Sequence, residues 1–401
     1  MYYERTLYQV IKRATNTFPV VLLTGPRQVG KTTLFEKCVE SERKIVSLDD
    51  IEIRNLAKND PNLFLQQYKP PVLIDEVQYA PELFPYIKII VDKEKKDGLF
   101  WLTGSQPFEL MKNVTESLAG RVAVIEMQGL TQAEKFQRET VPFVPDKIVG
   151  NNRESFDINQ VYTLIFNGSF PKLIANPNID RDLFFSSYLK TYIERDIKLL
   201  KNIEDEHIFL QFIRVIAART GQLLNYKDIS NSLDITEKTV KAWISLLETS
   251  GLIYILKPYY KNLSNRQIKT PKLYFLDTGL CVYLCGWKSV ETLQTGAMSG
   301  AIFETYVVSE ILKSYWNAGK EPTIYFYRDK EKNEIDVIIE QDGTLYPVEI
   351  KRTAKPSTSD IEHFSKIDDA QLKRGKGSLV CMYNNLLPLT KEVDCVPVAY
   401  I

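Results

Sequence analysis

Between residue 18 and about residue 128, short apolar runs alternate with helical stretches. The runs are Val20–Leu23, Ile45–Leu48, Val72–Ile74, Leu99–Leu102 and Val122–Ile125. None alternates polar with apolar positions, which is the pattern of strands buried on both faces of a parallel sheet. Helices are predicted between them, for example over Lys31–Glu40 and Glu82–Lys96. This rhythm predicts a doubly wound α/β domain over 1–130. A linker or irregular lid follows to about 157, carrying Pro142, Pro145, Gly150, Asn151 and Asn152, and a helical pattern then runs on; the segment is bounded as 131–205.

Over 206–290 the pattern reads as two capped helices and a hairpin. Asn225 caps the first helix and Thr236 the second. The second buries Val240, Ile244 and Leu247 and ends at Gly251. Leu252–Leu256 and Leu273–Leu276 pair as strands, which completes a winged helix-turn-helix. From Gly300 come one helix, three strands and a mixed tail, a second α/β unit spanning 291–401.

Composition narrows the function classes. Apolar residues at 44% and charged residues at 25% of 401 exclude wholesale disorder. Lys plus Arg and Asp plus Glu each number 51, so a generally cationic nucleic-acid coat is excluded and any such footprint is a local patch. The five cysteines are scattered, form no CxxC pair and have only His207 and His363 for company. That argues against structural zinc and a disulfide framework, and for a reducing, cytoplasmic setting. No window approaches the roughly 18 apolar residues of a membrane span, and the first residues lack a signal-peptide core.

Candidate chemistry starts at Gly25-Pro26-Arg27-Gln28-Val29-Gly30-Lys31-Thr32, which fits GxxxxGK[ST] and is followed by Thr33. It follows an apolar strand and opens a helix, the order a phosphate loop requires. Glycines let backbone N–H groups turn inward, and the helix N-terminus favours negative charge. Lys31 reaches the β- and γ-phosphates of ATP and Thr32 ligates Mg²⁺. The strand Val72-Leu73-Ile74 ends in Asp75 and Glu76. Asp75 is expected to hold Mg²⁺, and Glu76 to polarise the attacking water. Ser105, at the tip of the next strand, either contacts that water or the γ-phosphate, or merely caps a helix. Arg121 precedes the fifth strand and is either an arginine finger for a neighbouring copy or a solvated charge.

GPRQVGKTT (25–33), VLIDEVQ (72–78), LTGSQ (102–106) and SLAGRVAVIEM (117–127) together resemble the AAA+ branch of P-loop ATPases. The chain looks most like the prokaryotic group that joins an N-terminal AAA-type ATPase domain to a C-terminal domain of uncharacterised function. Arg121 matches that group's arginine before the fifth strand. Asn167-Gly168-Ser169-Phe170-Pro171 resembles its Gly-Gly-Phe-Pro signature, with Ser169 in place of the second glycine. Thr191–Ile197 resembles another, which makes Arg195 a second candidate nucleotide-facing arginine.

In the winged helix, the second helix is expected to expose Lys238, Thr239, Lys241 and Ser245, and the wing to carry Lys257, Lys261, Arg266, Lys269 and Lys272. Lys238 and Lys241 are the candidate DNA contacts. In the last unit, the helix over about 301–316 shows a polar face at Thr305, Ser309, Glu310, Lys313 and Ser314. Glu304 falls on the opposite, apolar side, where a carboxylate needs a partner. Glu334 and Asp336 share one strand face, and Glu349 and Lys351 share another. This order resembles the PD-(D/E)xK nuclease core, and the resemblance implies Asp336 and Glu349 as Mg²⁺ ligands beside Glu304, with Lys351 orienting water. Pro347 suits only an edge, a start or a bulge of its strand.

The expected whole is α/β: an AAA+ P-loop parallel-sheet ATPase domain, a helical and winged-helix module, and a restriction-endonuclease-like α/β domain. Three readings of function stand. One is an ATP-driven switch or motor acting on nucleic acid, within a homo-oligomer. The second is an ATP-gated, metal-dependent DNA nuclease. The third is a regulatory ATPase that binds a protein partner through its C-terminal half.

Overall fold

The five early runs form a parallel sheet. The computed structural model describes residues 2–104, 114, 116–148, 155–192, 206–259, 270–368 and 371–401. Helix α1 (Leu7–Thr15) leads into β1 (Val20–Thr24), α2 (Lys31–Cys38) and β2 (Lys44–Ser47). Helices α3 (Ile51–Asn59) and α4 (Pro61–Gln67), β3 (Val72–Asp75), α5 (Leu83–Glu94), β4 (Phe100–Gly104) and β5 (Val122–Glu126) follow. The strand order is β2-β3-β4-β1-β5, with every pairing parallel. Strands β1, β3 and β4 are buried throughout, as their unbroken apolar runs require. The edge strands β2 and β5 are partly exposed, which the sequence reading did not anticipate. Successive side chains feed opposite cores: Val20, Leu22 and Phe100 on one face, Val21, Leu23 and Trp101 on the other.

Beyond β5 the chain is irregular, as expected, but 127–144 is no solvated linker. It carries α6 (Gln132–Lys135), capped reciprocally by Thr131 and Glu134. Met127, Gln128, Leu130, Gln132, Glu134 and Phe143 are buried. Helices α7 (Ile158–Asn167), α8 (Pro171–Ala175), α9 (Arg181–Tyr192) and α10 (Glu206–Ala217) follow. Then come β6 (Gln222–Leu223), α11 (Tyr226–Leu233), α12 (Glu237–Thr249), β7 (Ile253–Leu256) and β8 (Lys272–Phe275). Asn225 and Thr236 cap α11 and α12 through their side chains, and Val240, Ile244 and Leu247 are buried. The three strands pair antiparallel in the order β6-β8-β7. Ser169 keeps negative φ beside the left-handed Gly168, and its hydroxyl and N–H both bond Asp277 at 2.6 Å.

Helices α13 (Thr278–Leu284) and α14 (Val290–Thr295) lead to the long α15 (Ser299–Asn317). Strands β9 (Ile324–Arg328), β10 (Glu334–Gln341), β11 (Thr344–Lys351), β12 (Lys373–Arg374), β13 (Gly377–Cys381), β14 (Leu387–Pro388) and β15 (Val393–Pro397) build a second sheet. Its order is β14-β15-β13-β11-β10-β9, with β12 on β11. Pro347 lies mid-strand, in the gap where β11 leaves β12 and takes up β13. One apolar core runs from α7 through the three-stranded sheet and α15 to β13 and β15.

The polar face of α15 is buried. Thr305, Ser309, Glu310, Lys313 and Ser314 are all 3% exposed or less. They meet the irregular segment: Gln132 N–H donates to Glu310 at 2.7 Å, Phe143 N–H to Ser314 at 3.1 Å, and Lys313 pairs with Glu310 at 2.5 Å. A polar stripe packed on backbone donors satisfies both sides. Among the described residues no helix is long and apolar enough to cross a membrane.

Candidate active site

All five strands of the first sheet are parallel, so their carboxyl ends gather the loops that bind ligands. The loop after β1 needs glycine at its first position. A Cβ on Gly25, at φ +139°, would stand 2.1 Å from the Met127 carbonyl oxygen. Gly30 is left-handed at φ 94° and caps α2. Lys31 is buried, and its Nζ donates to the carbonyls of Gly25 at 2.9 Å and Pro26 at 2.8 Å.

Strand β4 lies between β1 and β3, which places Thr103 beside both the phosphate loop's strand and Asp75. Thr103 is fully buried and its hydroxyl donates to Asp75 Oδ1. It also accepts the Glu76 N–H at 3.0 Å. Thr32 Oγ1 donates to the same Asp75 oxygen at 2.8 Å, and Ser47 Oγ reaches Asp75 Oδ2 at 3.4 Å. Glu76 is left-handed at φ 57°, ψ 45°, and its carboxylate accepts from the Gln78 amide. A non-glycine residue held there costs about 1 kcal/mol or more, so surrounding contacts fix it. The Thr32 hydroxyl and Asp75 carboxylate are hard oxygen donors that fit Mg²⁺, which takes its remaining ligands from phosphate and water.

Thr103 and Ser47 were not picked out from sequence. Their signal is a lone hydroxyl ending an apolar strand, FWLT and KIVS. Arg5 was also missed. It is buried, donating to Val29 O of the phosphate loop at 3.1 Å, to Gln128 O at 2.7 Å, and to Glu134 at 3.2 Å. Asn317 of α15 donates to that same Glu134 oxygen at 3.2 Å, so the loop and α15 share one polar relay.

Arg121 lies at the opposite edge of the sheet, its carbonyl accepting from Val20 N–H. Its guanidinium forks onto Asp92 at 2.6 and 3.1 Å, and that bond holds the Asp92 carboxyl below its ordinary range. Ser105 and Arg195 lie outside the described residues.

The C-terminal quartet does converge. Glu304 of α15, Asp336 of β10, and Glu349 and Lys351 of β11 interact with one another. A register shift in β10 between Ile335 and Ile338 turns the strand at Asp336. Burial raises the Glu304 pKa, with Asp336 adding to it. Burial and Asp336 push Glu349 up to about 8. Lys351 pairs with Glu349 at 2.5 Å. Lys272, expected on an exposed wing, is 3% exposed and sits in this cluster. Lys257, just past the first strand of the wing hairpin, is exposed, and Lys238, Lys241 and Ser245 are exposed on α12, with Thr239 half-buried. Lys261, Arg266 and Lys269 lie outside the described residues.

A glycine-rich loop opening a helix, with Thr32, Asp75 and Glu76 at the carboxyl ends of a parallel sheet, defines a P-loop ATPase. The family described as "AAA domain" matches residues 17–136, and two domains of unknown function (DUF8612 and DUF4143) match 158–291 and 299–401. The chain is 30% identical over 389 residues to an uncharacterized protein of Mycobacterium tuberculosis, covering 96% of this chain and 82% of that one. It belongs to the same family as that protein. It is 22% identical over 391 residues to an uncharacterized protein of Haemophilus influenzae, covering 91% and 90%. Among solved structures it is similar to the Walker-type ATPase of Pyrococcus abyssi, at 15% identity and TM-score 0.44, covering 71% of this chain and 96% of that one.

Proposed function

We propose that the protein is an ATP-hydrolysing switch that acts on nucleic acid. The observation that carries the ATPase half is the hydroxyl web joining Thr32, Asp75, Thr103 and Glu76. Backbone N–H groups of the loop and Lys31 receive the phosphates. Thr32 and Asp75 would hold Mg²⁺, which neutralises charge on the β- and γ-phosphates. Glu76, fixed by Thr103, polarises the attacking water. A cavity of about 200 Å³ lined by Tyr2, Tyr3, Arg5, Thr33 and Met127 adjoins the loop and suits the nucleotide base. Arg121 sits some five residues of strand, about 16 Å, from its own phosphate loop and is held by Asp92, so an arginine-finger role for it requires a neighbouring copy.

The nucleic-acid half rests on the middle module. Its order of α10, β6, α11, α12, β7, β8 with sheet order β6-β8-β7 supports a winged-helix reading. Lys238 and Lys241 are exposed on α12, where a second helix meets a groove. Glu237 and Glu248 are exposed on the same helix, so the contact is narrow. Anisotropy of a labelled duplex across a salt series tests this. Neutralising Lys238 and Lys241 together should weaken binding and flatten the salt slope by about 2. Unchanged affinity and slope would contradict the nucleic-acid reading. The nuclease alternative draws on the convergence of Glu304, Asp336, Glu349 and Lys351 alone.

A further inference from the structure

The C-terminal carboxylate cluster already contains its cation. Lys272 is the first residue of β8, delivered from the three-stranded sheet, and its side chain is 3% exposed. Its Nζ stands 2.5 Å from Glu334 Oε1, 2.9 Å from Glu304 Oε1 and 3.6 Å from Asp336 Oδ1. The Tyr274 hydroxyl, two residues along the same strand face, donates to the same Glu304 oxygen at 2.6 Å. Three further oxygens are engaged as well. Glu334 Oε2 takes Arg328 at 2.6 Å, Asp336 Oδ2 takes the Ile350 N–H at 2.9 Å, and Glu349 takes Lys351 at 2.5 Å. Four carboxylates thus face three cations, a hydroxyl and a backbone donor.

This arrangement does not fit a divalent metal. Such an ion would need several of these oxygens at about 2.0–2.6 Å, in the space the ammonium fills, and would meet like charge there. Among the described residues no group of three or more acidic, histidine or cysteine side chains is disposed to hold a metal. Burying a lone ammonium or a lone carboxylate here is costly, so each keeps the other in place.

We infer that Lys272 permanently occupies the position a divalent metal would take, and that the cluster fastens the β6-β8-β7 module to the second sheet instead of cutting nucleic acid. The inference is independent of the ATPase reading. It rests on a lysine from one sheet reaching three carboxylates carried by α15 and β10. The cluster therefore ties the candidate nucleic-acid module to the helix that also contacts the phosphate-loop relay through Asn317.

Calorimetric titration of the full chain with Mn²⁺, without nucleotide, tests it. Wild type should show no Mn²⁺ binding that Asp336→Asn removes, and no Mn²⁺-dependent nicking of circular DNA. Folded Lys272→Met should gain a Mn²⁺ site at least tenfold tighter than wild type, lost again when Asp336→Asn is added. Lys272→Arg, which keeps a cation, should gain none. Binding or nicking by wild type that Asp336→Asn abolishes would overturn the inference. So would a folded Lys272→Met that gains no site. The comparison of wild type with Asp336→Asn decides the matter even if Lys272→Met fails to fold.

Discussion

Replacing Thr103 with Val removes one hydroxyl from the centre of the candidate active site and changes little else. The side chain is fully buried in β4, and Val has nearly the same shape. Two interactions are lost. The hydroxyl's bond to the Asp75 carboxylate is of the charge-assisted kind, about 1.5–3 kcal/mol. The Glu76 N–H, 3.0 Å from that hydroxyl, loses its acceptor, at about 1–3 kcal/mol. These overlap, so about 3 kcal/mol is a fair total for what the hydroxyl contributes to fixing the Asp75 and Glu76 pair. If that free energy is withdrawn from the catalytic arrangement, kcat falls about 100-fold. The phosphate loop keeps its own contacts, so the nucleotide Kd should change by less than about threefold. Steady-state hydrolysis with a parallel nucleotide titration separates the two, and Thr103→Ser, which restores the hydroxyl, should recover most of the rate. A Thr103→Val enzyme with kcat within threefold of wild type would show that the hydroxyl does not position Glu76 for catalysis. So would a Thr103→Ser enzyme as impaired as Thr103→Val.

Two further outcomes follow from named contacts. Arg5→Met leaves the Glu134 carboxylate buried without its guanidinium and should lower stability to urea by about 3–5 kcal/mol; a loss below about 1 kcal/mol would show that the relay is not structural. Arg121→Ala should leave nucleotide affinity unchanged and lower turnover by about 10³-fold. Mixing it with Lys31→Ala copies should restore turnover in part, whereas no recovery would place the arginine outside any neighbour's site.

The sheet and its phosphate loop were legible because both obey local rules. Unbroken apolar runs mark central strands, and a glycine loop between strand and helix has few other uses. The caps Asn225 and Thr236 were legible for the same reason: one side chain bonds one nearby N–H. Periodicity placed Glu304 on an apolar helix face and paired Glu334 with Asp336 and Glu349 with Lys351, but it was the resemblance to a nuclease core that implied Glu304, Asp336, Glu349 and Lys351 as one cluster.

What escaped was set by distant packing. The polar stripe of α15 looks like a solvated face, and only the backbone donors of 132–143 make it an interior one. Lys272 reads as one more wing lysine until α15 and β10 surround it. Arg5 contacts residues 24 to 129 positions away, a separation that no local pattern encodes. Thr103 matters because β4 is inserted between β1 and β3, and strand order is a property of the whole sheet.

Glu76, at the end of β3, is proposed to activate the water that attacks ATP. Single-turnover hydrolysis of bound ATP by Glu76→Gln, beside wild type, tests it most directly. Glu76→Gln should bind ATP with near wild-type affinity and cleave it at least about 100-fold more slowly. Cleavage at the wild-type rate would contradict it.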